Sequence, residues 1–315
     1  MNKEEAIQIL KNNSLNLKLL PADLRKDENI VLSAIERYGY NLKFADFSLK
    51  KNKKIVEKAV IKYGYALEFA EKSLKKNKEI VLKAVRQNGY ALEFASEELK
   101  NDLEIVTEAV NQNGYALKHA SKRFKKNKDI VLKAIKNYCF ALEHADENLK
   151  KDKEIILEAI KQYGYALRYA HNDLKKDKDL VLLACKKNVF SFLYADKSLK
   201  GDKEFVLNAL NECSFGTFLE YVDNDLKKDK EVVLAAVKRW GTALQFADKK
   251  FKKNKDIVLC AIEQYGESLQ HADESLKKDK KFIIKVIKTS NYAFQFIDES
   301  LKYDPDILLL LKQTI

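Results

Sequence analysis

A basic side chain returns at one fixed position along most of this 315-residue chain. The column begins at Arg25 and ends at Lys302. If the units that carry it stack in order, its members form a ladder, and a row of cations can follow the phosphates of a polyanion. The candidate polyanion ladder consists of Lys50, Lys75, Lys100, Lys125, Lys150, Lys175, Lys200, Lys227, Lys252 and Lys277.

The same lysines have a structural interpretation, which we favour. A cation at a helix C-terminus is stabilised by the helix dipole by up to ~1 kcal/mol. Acidic columns also run beside the ladder, such as Asp46 four residues before Lys50 and Glu79 four after Lys75. Neighbouring columns of opposite sign predict solvated ion pairs between repeats. The net charge of +12 does not distinguish polyanion binding from this structural interpretation, because the excess is spread thinly over the repeats. Residues 76–100, for example, hold five Lys or Arg against four Glu.

The other reactive side chains form no recognisable catalytic or metal site. His119, His144 and His271 replace Phe or Tyr in one column, and this predicts substitutes for core aromatics rather than zinc ligands. The four cysteines are widely spaced, without a C-x-x-C pair. Phosphate-loop, zinc-protease and nucleophile-elbow motifs are missing from the sequence. We therefore expect no enzyme activity, no bound metal and no cofactor.

These columns arise from a tandem repeat of 25 residues. Glycine marks it at positions 39, 64, 89, 114, 164, 216, 241 and 266, with one two-residue insertion between Asp202 and Gly216. About twelve units fit the chain, so the repeat replaces the two domains that length alone suggests. We predict a degenerate N-terminal capping repeat at 1–26, tandem repeats over 27–304 and a C-terminal capping helix at 305–315.

Each unit predicts two helices, as in residues 76–100, KNKEIVLKAVRQNGYALEFASEELK. Asn77 has the type and place of an N-cap, and Gly89 suits a helix end that requires positive φ. The second helix begins at GYALEFA and extends to Leu99, with Ser96 capping a last turn. A strand at EIVLKAV is the rival interpretation, opposed by the N-cap and the recurring alanine. Helix pairs this short must stack, which predicts an all-α solenoid, elongated or superhelical.

The repeated unit resembles a known family. Its pattern, N/D-K-E-I-V-L-x-A-V-x-x-N-G-Y-A-L-x-x-A-S/D-E-x-L-K, is similar to the repeat of the domain-of-unknown-function family numbered 4116, over about residues 27–304. The resemblance implies tandem helical repeats, known mostly from bacterial and protist proteins, without an established activity. It supplies no catalytic residues.

Residues 188–223 depart from the repeat. Val189 stands in the glycine column, Leu193 in a polar column and Phe218 in an alanine column. An exposed apolar patch is one interpretation, and a locally repacked bend is the other. The candidate protein-binding patch consists of Phe190, Phe192, Leu193, Phe215 and Phe218.

Amides close the first helix of several units, as at Gln87-Asn88 and Gln112-Asn113, and tyrosine often follows, as at Gln162-Tyr163. Amides beside aromatic rings read bases in RNA-binding helical repeats. Polar residues before a glycine are also ordinary turn chemistry, which we favour here.

We expect a non-enzymatic scaffold that binds another protein through an extended solenoid surface. Its contacts would come from residues 188–223 or from variable columns such as Glu68, Lys118, Arg168 and Gln245. Binding of RNA or another polyanion along the lysine ladder is the alternative. The sequence shows no Sec-type signal and no apolar run of about 18 residues, which predicts a cytoplasmic protein without a membrane partner, unless secretion needs no cleavable signal. The oligomeric state stays open.

Overall fold

A computed structural model describes residues 3–12, 16–213 and 217–314. Across those residues the regular structure is helical, and β-strands do not occur. The chain divides into two compact units, Met1–Gln162 and Tyr163–Ile315. Inside each unit the repeats pack one after the other in chain order. The prediction of an all-α repeat solenoid is confirmed for each unit.

Every repeat is built around a ten-residue α-helix, here called the long helix. The predicted N-caps are confirmed, because the Asp102 carboxylate accepts hydrogen bonds from the backbone N–H groups of Glu104 and Ile105 at 2.9 and 3.1 Å. Since the apolar residues lie on one side of the helix, they pack against the neighbouring repeats. The long helices of the first unit are Lys3–Asn12, Glu28–Arg37, Lys53–Lys62, Lys78–Gln87, Leu103–Gln112, Lys128–Asn137 and Lys153–Gln162. Those of the second unit are Lys178–Lys187, Lys203–Glu212, Lys230–Arg239, Lys255–Gln264, Lys280–Thr289 and Pro305–Thr314.

The second helix of a repeat is a six-residue 3₁₀ helix, here called the glycine helix, and it does not extend to Leu99 as predicted. A 3₁₀ helix has three residues per turn, so its first and fourth residues face the core while its second and fifth face outward. The sequence G-Y-A-L-E-F satisfies that period. The glycine helices are Gly39–Phe44, Gly64–Phe69, Gly89–Phe94, Gly114–His119, Cys139–His144, Gly164–Tyr169, Val189–Tyr194, Gly241–Phe246, Gly266–His271 and Asn291–Phe296, with four-residue forms at Asn16–Leu19 and Phe218–Tyr221.

A short third element, here called the lysine turn, completes the repeat. The column of Ser96 caps this turn as predicted, because Asp196, at the equivalent position of a later repeat, accepts the Ser198 N–H through its carboxylate at 3.0 Å. The lysine turns with 3₁₀ geometry are Leu24–Lys26, Leu49–Lys51, Leu74–Lys76, Leu99–Asn101, Leu149–Lys151, Leu174–Lys176, Leu226–Lys228 and Glu299–Leu301. The lysine turns with α geometry are Lys122–Lys125, Lys197–Lys200, Lys249–Lys252 and Glu274–Lys277.

The glycine column has a different cause from the one predicted. Positive φ was expected there, yet no glycine among the described residues adopts it. The long helix ends two residues before the glycine, and the residue between them is extended, as at Asn88 with φ −152° and ψ 112°. Glycine is favoured there because the next repeat approaches closely: a Cβ on Gly64 would lie 2.5 Å from the carbonyl oxygen of Ala84.

In the part of the chain that the structure describes, no helix combines the length and the apolar character needed to cross a membrane.

Candidate interaction surface

The second and fifth residues of each glycine helix form its outer face. Residues three apart in a 3₁₀ helix lie directly above one another, so these two side chains are neighbours. At Gly39–Phe44 the pair is Tyr40 and Lys43, and the Lys43 ammonium donates to the Tyr40 hydroxyl at 2.7 Å. The outer faces of successive glycine helices together form a candidate interaction surface in each unit.

The fifth position of the glycine helix carries the variable residues, and all of them are exposed. The variable residues that the sequence singled out therefore share one row on this surface. The row reads Lys43, Glu68, Glu93, Lys118 and Glu143 in the first unit and Arg168, Leu193, Glu220, Gln245, Gln270 and Gln295 in the second.

Aromatic rings line this surface in the first unit, a feature that sequence reasoning missed. The Tyr90 and Tyr115 ring centroids lie 5.5 Å apart, and Tyr115 meets the His144 ring edge-on at 4.6 Å. Burial lowers the pKa of both His119 and His144, as expected for histidines that replace core aromatics. Aromatic residues recur at three positions of the repeat, which could have indicated this surface. Their spacing alone does not show that the rings pack on one another.

Two residues of the predicted protein-binding patch are buried, and a third lies outside the described residues. Phe192 and Phe218 are 0% and 1% exposed, and their rings stack with centroids 4.4 Å apart. Phe218 replaces the alanine of its column, so this stack fills the core between the two repeats. Phe215 lies outside the described residues.

The other two residues, Phe190 and Leu193, are each 49% exposed. They are the second and fifth residues of the glycine helix Val189–Tyr194 and therefore share its outer face. The Phe190 ring also contacts Tyr221 of the next repeat, with centroids 6.2 Å apart. We call Phe190 and Leu193 the apolar pair. Since every other described fifth position is charged or an amide, the pair is a local apolar site in a polar row.

The ten lysines of the ladder are all half-buried. The structure directs most of their ammonium groups at the protein itself, consistent with the structural interpretation at helix ends. Six of them donate to the backbone carbonyl seven residues earlier, near the end of the glycine helix, at 2.6–3.0 Å: Lys50, Lys75, Lys200, Lys227, Lys252 and Lys277. Lys100 and Lys150 instead pair with Glu97 and Glu147 at 2.8 and 2.7 Å.

Partial burial changes the electrostatics of the ladder. Desolvation lowers the pKa of Lys50, Lys75 and Lys200, because the charged form loses contact with water. The backbone carbonyl of most ladder residues also accepts a hydrogen bond from the next repeat, as from Glu71 N–H to Lys50 at 3.0 Å. Lys50 therefore contacts its own glycine helix through its ammonium group and the following repeat through its backbone carbonyl.

Ion pairs between repeats occur as predicted, but a different lysine column forms them. The first residue of a long helix pairs with the N-cap and second helical residue of the next one. Lys78 lies 2.8 Å from Asp102 and 2.9 Å from Glu104. Lys203 repeats this arrangement in the second unit, 2.9 Å from Asp229.

The amides before the glycine column also join repeats. Gln87 accepts the Gly64 N–H of the previous repeat at 2.5 Å. Asn137 accepts the Gly114 N–H at 2.7 Å and donates to the Asn111 carbonyl at 3.0 Å. These side chains satisfy backbone groups, which is the structural alternative to base reading.

Stacked three-element repeats, held together by side chain to backbone hydrogen bonds, define a helical-repeat scaffold. The chain belongs to the family described as Domain of unknown function (DUF4116). Each full family match spans two successive repeats, and the matches overlap along the chain. They cover residues 2–50, 27–75, 52–100, 77–125, 102–150, 127–175, 152–200, 177–227, 202–252, 229–277, 254–302 and 279–311. Among curated proteins, none matches this sequence.

Proposed function

We propose that this protein is a non-enzymatic scaffold that binds another protein through the outer face of its glycine helices. The observation that carries the proposal is the apolar pair. Phe190 and Leu193 are both half-exposed on one face, and Leu193 stands at the fifth position, where the other described repeats carry a charged or amide side chain.

The apolar pair has the chemistry of a protein-binding anchor. Covering apolar surface stabilises a complex by roughly 25 cal/mol per Å² removed from water. Aromatic residues in the centre of an interface contribute more than their number suggests. The pair is also held on a firm backbone, because the Lys200 ammonium donates to the Leu193 carbonyl at 2.7 Å. A partner therefore meets these side chains without ordering a loop.

Polyanion binding along the lysine ladder has less support. Most ladder ammonium groups already donate to carbonyls or carboxylates, so a phosphate would have to compete with these bonds. Exposed lysines one position further on, such as Lys76 and Lys176, are better placed for such a role. This alternative requires binding of labelled RNA that weakens steeply with salt.

The test is quantitative affinity capture with the wild type, the double variant Phe190→Asp/Leu193→Asp and the control Gln245→Asp. Gln245 occupies the same fifth position in another glycine helix of the second unit and is exposed. We expect specific partners to be retained by the wild type and the control and lost by the double variant. Circular dichroism checks that all three are folded. Equal retention by the double variant would overturn the proposal.

A further inference from the structure

We propose that the apolar pair receives an extended peptide segment whose apolar side chain is flanked by an acidic residue on one side and a basic residue on the other. This inference rests on the proposed function and specifies the chemistry of its partner. The apolar pair supplies the anchor site, and the charges come from the repeats before and after it.

Three consecutive repeats of the second unit present the required row. Arg168, Leu193 and Glu220 are equivalent residues of the glycine helices Gly164–Tyr169, Val189–Tyr194 and Phe218–Tyr221, and all three side chains are exposed. The row therefore reads cation, apolar side chain, anion.

Ring contacts hold these three helices side by side. Tyr165 meets Tyr194 edge-on with centroids 4.8 Å apart, and Phe190 meets Tyr221 at 6.2 Å. The Tyr165 and Tyr194 hydroxyls are also hydrogen-bonded. These ring contacts set the order in which Arg168, Leu193 and Glu220 follow one another along the surface.

The two charges that flank the pair are available to a partner. The Arg168 guanidinium lies over the ring of Tyr169, 5.6 Å from its centroid, which leaves its N–H groups free to bind a carboxylate. Within residues 16–213 and 217–314, neither Arg168 nor Glu220 forms an ion pair. The Glu220 carboxylate accepts a hydrogen bond from the Tyr221 hydroxyl, and its charge remains exposed and unneutralised. Complementary charges at the rim of an interface select the partner and its register.

The spacing of the row suits an extended chain. Packed helices lie about 8–10 Å apart, and an extended chain advances about 3.3 Å per residue. Neighbouring members of the row thus correspond to residues about three apart in the peptide. The complementary segment has the form Asp-x-x-Phe-x-x-Lys. A polyanion does not fit this row, because it has no apolar group for Leu193 and Glu220 repels it.

The experiment uses fluorescent peptides of this form, called DK, and two charge variants, Asp-x-x-Phe-x-x-Asp (DD) and Lys-x-x-Phe-x-x-Lys (KK). The first readout is the affinity ratio of DK to each variant, measured by fluorescence anisotropy. We expect DK to bind the wild type about two- to fivefold more tightly than KK, since one exposed ion pair contributes that much. The preference should shrink at high salt.

Two protein variants test the register. Arg168→Glu changes the row to anion, apolar, anion, so the preference should switch to KK. Glu220→Lys changes it to cation, apolar, cation, so the preference should switch to DD. Leu193→Asp should weaken binding of all three peptides, and Gln270→Glu, in the same position further along the unit, should leave the ratios unchanged.

The outcomes separate the two proposals. If the affinity ratios do not follow the charges at Arg168 and Glu220, or if DK does not bind, the peptide inference is overturned. The proposed function stands in that case, provided that affinity capture still depends on the apolar pair. If capture ignores the pair, the proposed function fails as well.

Discussion

The Lys200 ammonium lies 2.7 Å from the carbonyl oxygen of Leu193. This bond joins a member of the lysine ladder to a member of the apolar pair. The lysine thus supports the backbone that presents Leu193, while the leucine side chain points to solvent and is 49% exposed. Two residues that the sequence assigned to competing functions, polyanion binding and protein binding, belong to one structural arrangement.

We predict that Lys200→Met lowers the free energy of unfolding by about 1 kcal/mol, because it removes a charge-assisted hydrogen bond at a helix end while keeping the aliphatic stem. The measurement is urea unfolding followed by circular dichroism. Lys197→Met is the control, since Lys197 lies in the same lysine turn and is exposed. Equal effects of the two substitutions would contradict the supporting role of the ladder.

The sequence predicted those structural features whose interacting residues lie within a few positions of one another. The Asp102 N-cap and its two backbone partners lie within three residues of one another, so the sequence displays the whole motif. The Asp196 cap of the lysine turn was recognisable for the same reason. The position of Lys200 near a helix end also followed from the repeat.

Features that depend on the next repeat could not be derived in this way. The reason for Gly64 is the carbonyl of Ala84, and a glycine column is equally compatible with positive φ. Phe218 is buried because Phe192 stacks on it, whereas the sequence shows only two large side chains in an irregular stretch. Lysines of two columns three residues apart face different groups, a backbone carbonyl for Lys50 and carboxylates for Lys78, and the sequence does not distinguish them.

Gly241→Ala tests the close approach between repeats. A Cβ there would lie 2.6 Å from the Ser268 hydroxyl oxygen and closer still to the Ala261 carbonyl. We expect a loss of about 1–3 kcal/mol in the free energy of unfolding, as for an overpacked core. At Gly201 the nearest atom would be 3.8 Å away, so Gly201→Ala should be neutral or stabilising by up to ~1 kcal/mol. Similar losses for both would show that space is not the reason for the column.

Acid should weaken the contacts between repeats. Hydrogen bonds from lysines of the preceding repeat lower the pKa of Asp202, Asp229 and Asp279, and those from Lys53 and Lys83 lower that of Glu79 to about 2. Since the pKa is lower in the folded state, these carboxylates stabilise the fold fully above their unfolded pKa of about 4. Their contribution is lost as the pH falls toward the folded values.

The measurement for this prediction is the urea midpoint between pH 7 and pH 3, for the wild type and Asp279→Asn. Asparagine keeps the N-cap, as Asn254 shows in the preceding repeat, but loses the ion pair with Lys255. The variant should therefore show a shallower fall in stability with acid. A wild-type midpoint that stays constant down to pH 3 would exclude this linkage.

Asn137→Leu distinguishes a structural amide from a base-reading one. The substitution leaves the part-buried Gly114 N–H and the Asn111 carbonyl without their partner, so we expect a loss of about 1–3 kcal/mol in the free energy of unfolding. Asn111→Leu is the matched control, because the Asn111 side chain is exposed and the bond uses only its backbone carbonyl. A side chain kept for reading bases would leave stability unchanged at both positions and would reduce the binding of RNA on substitution of Asn137.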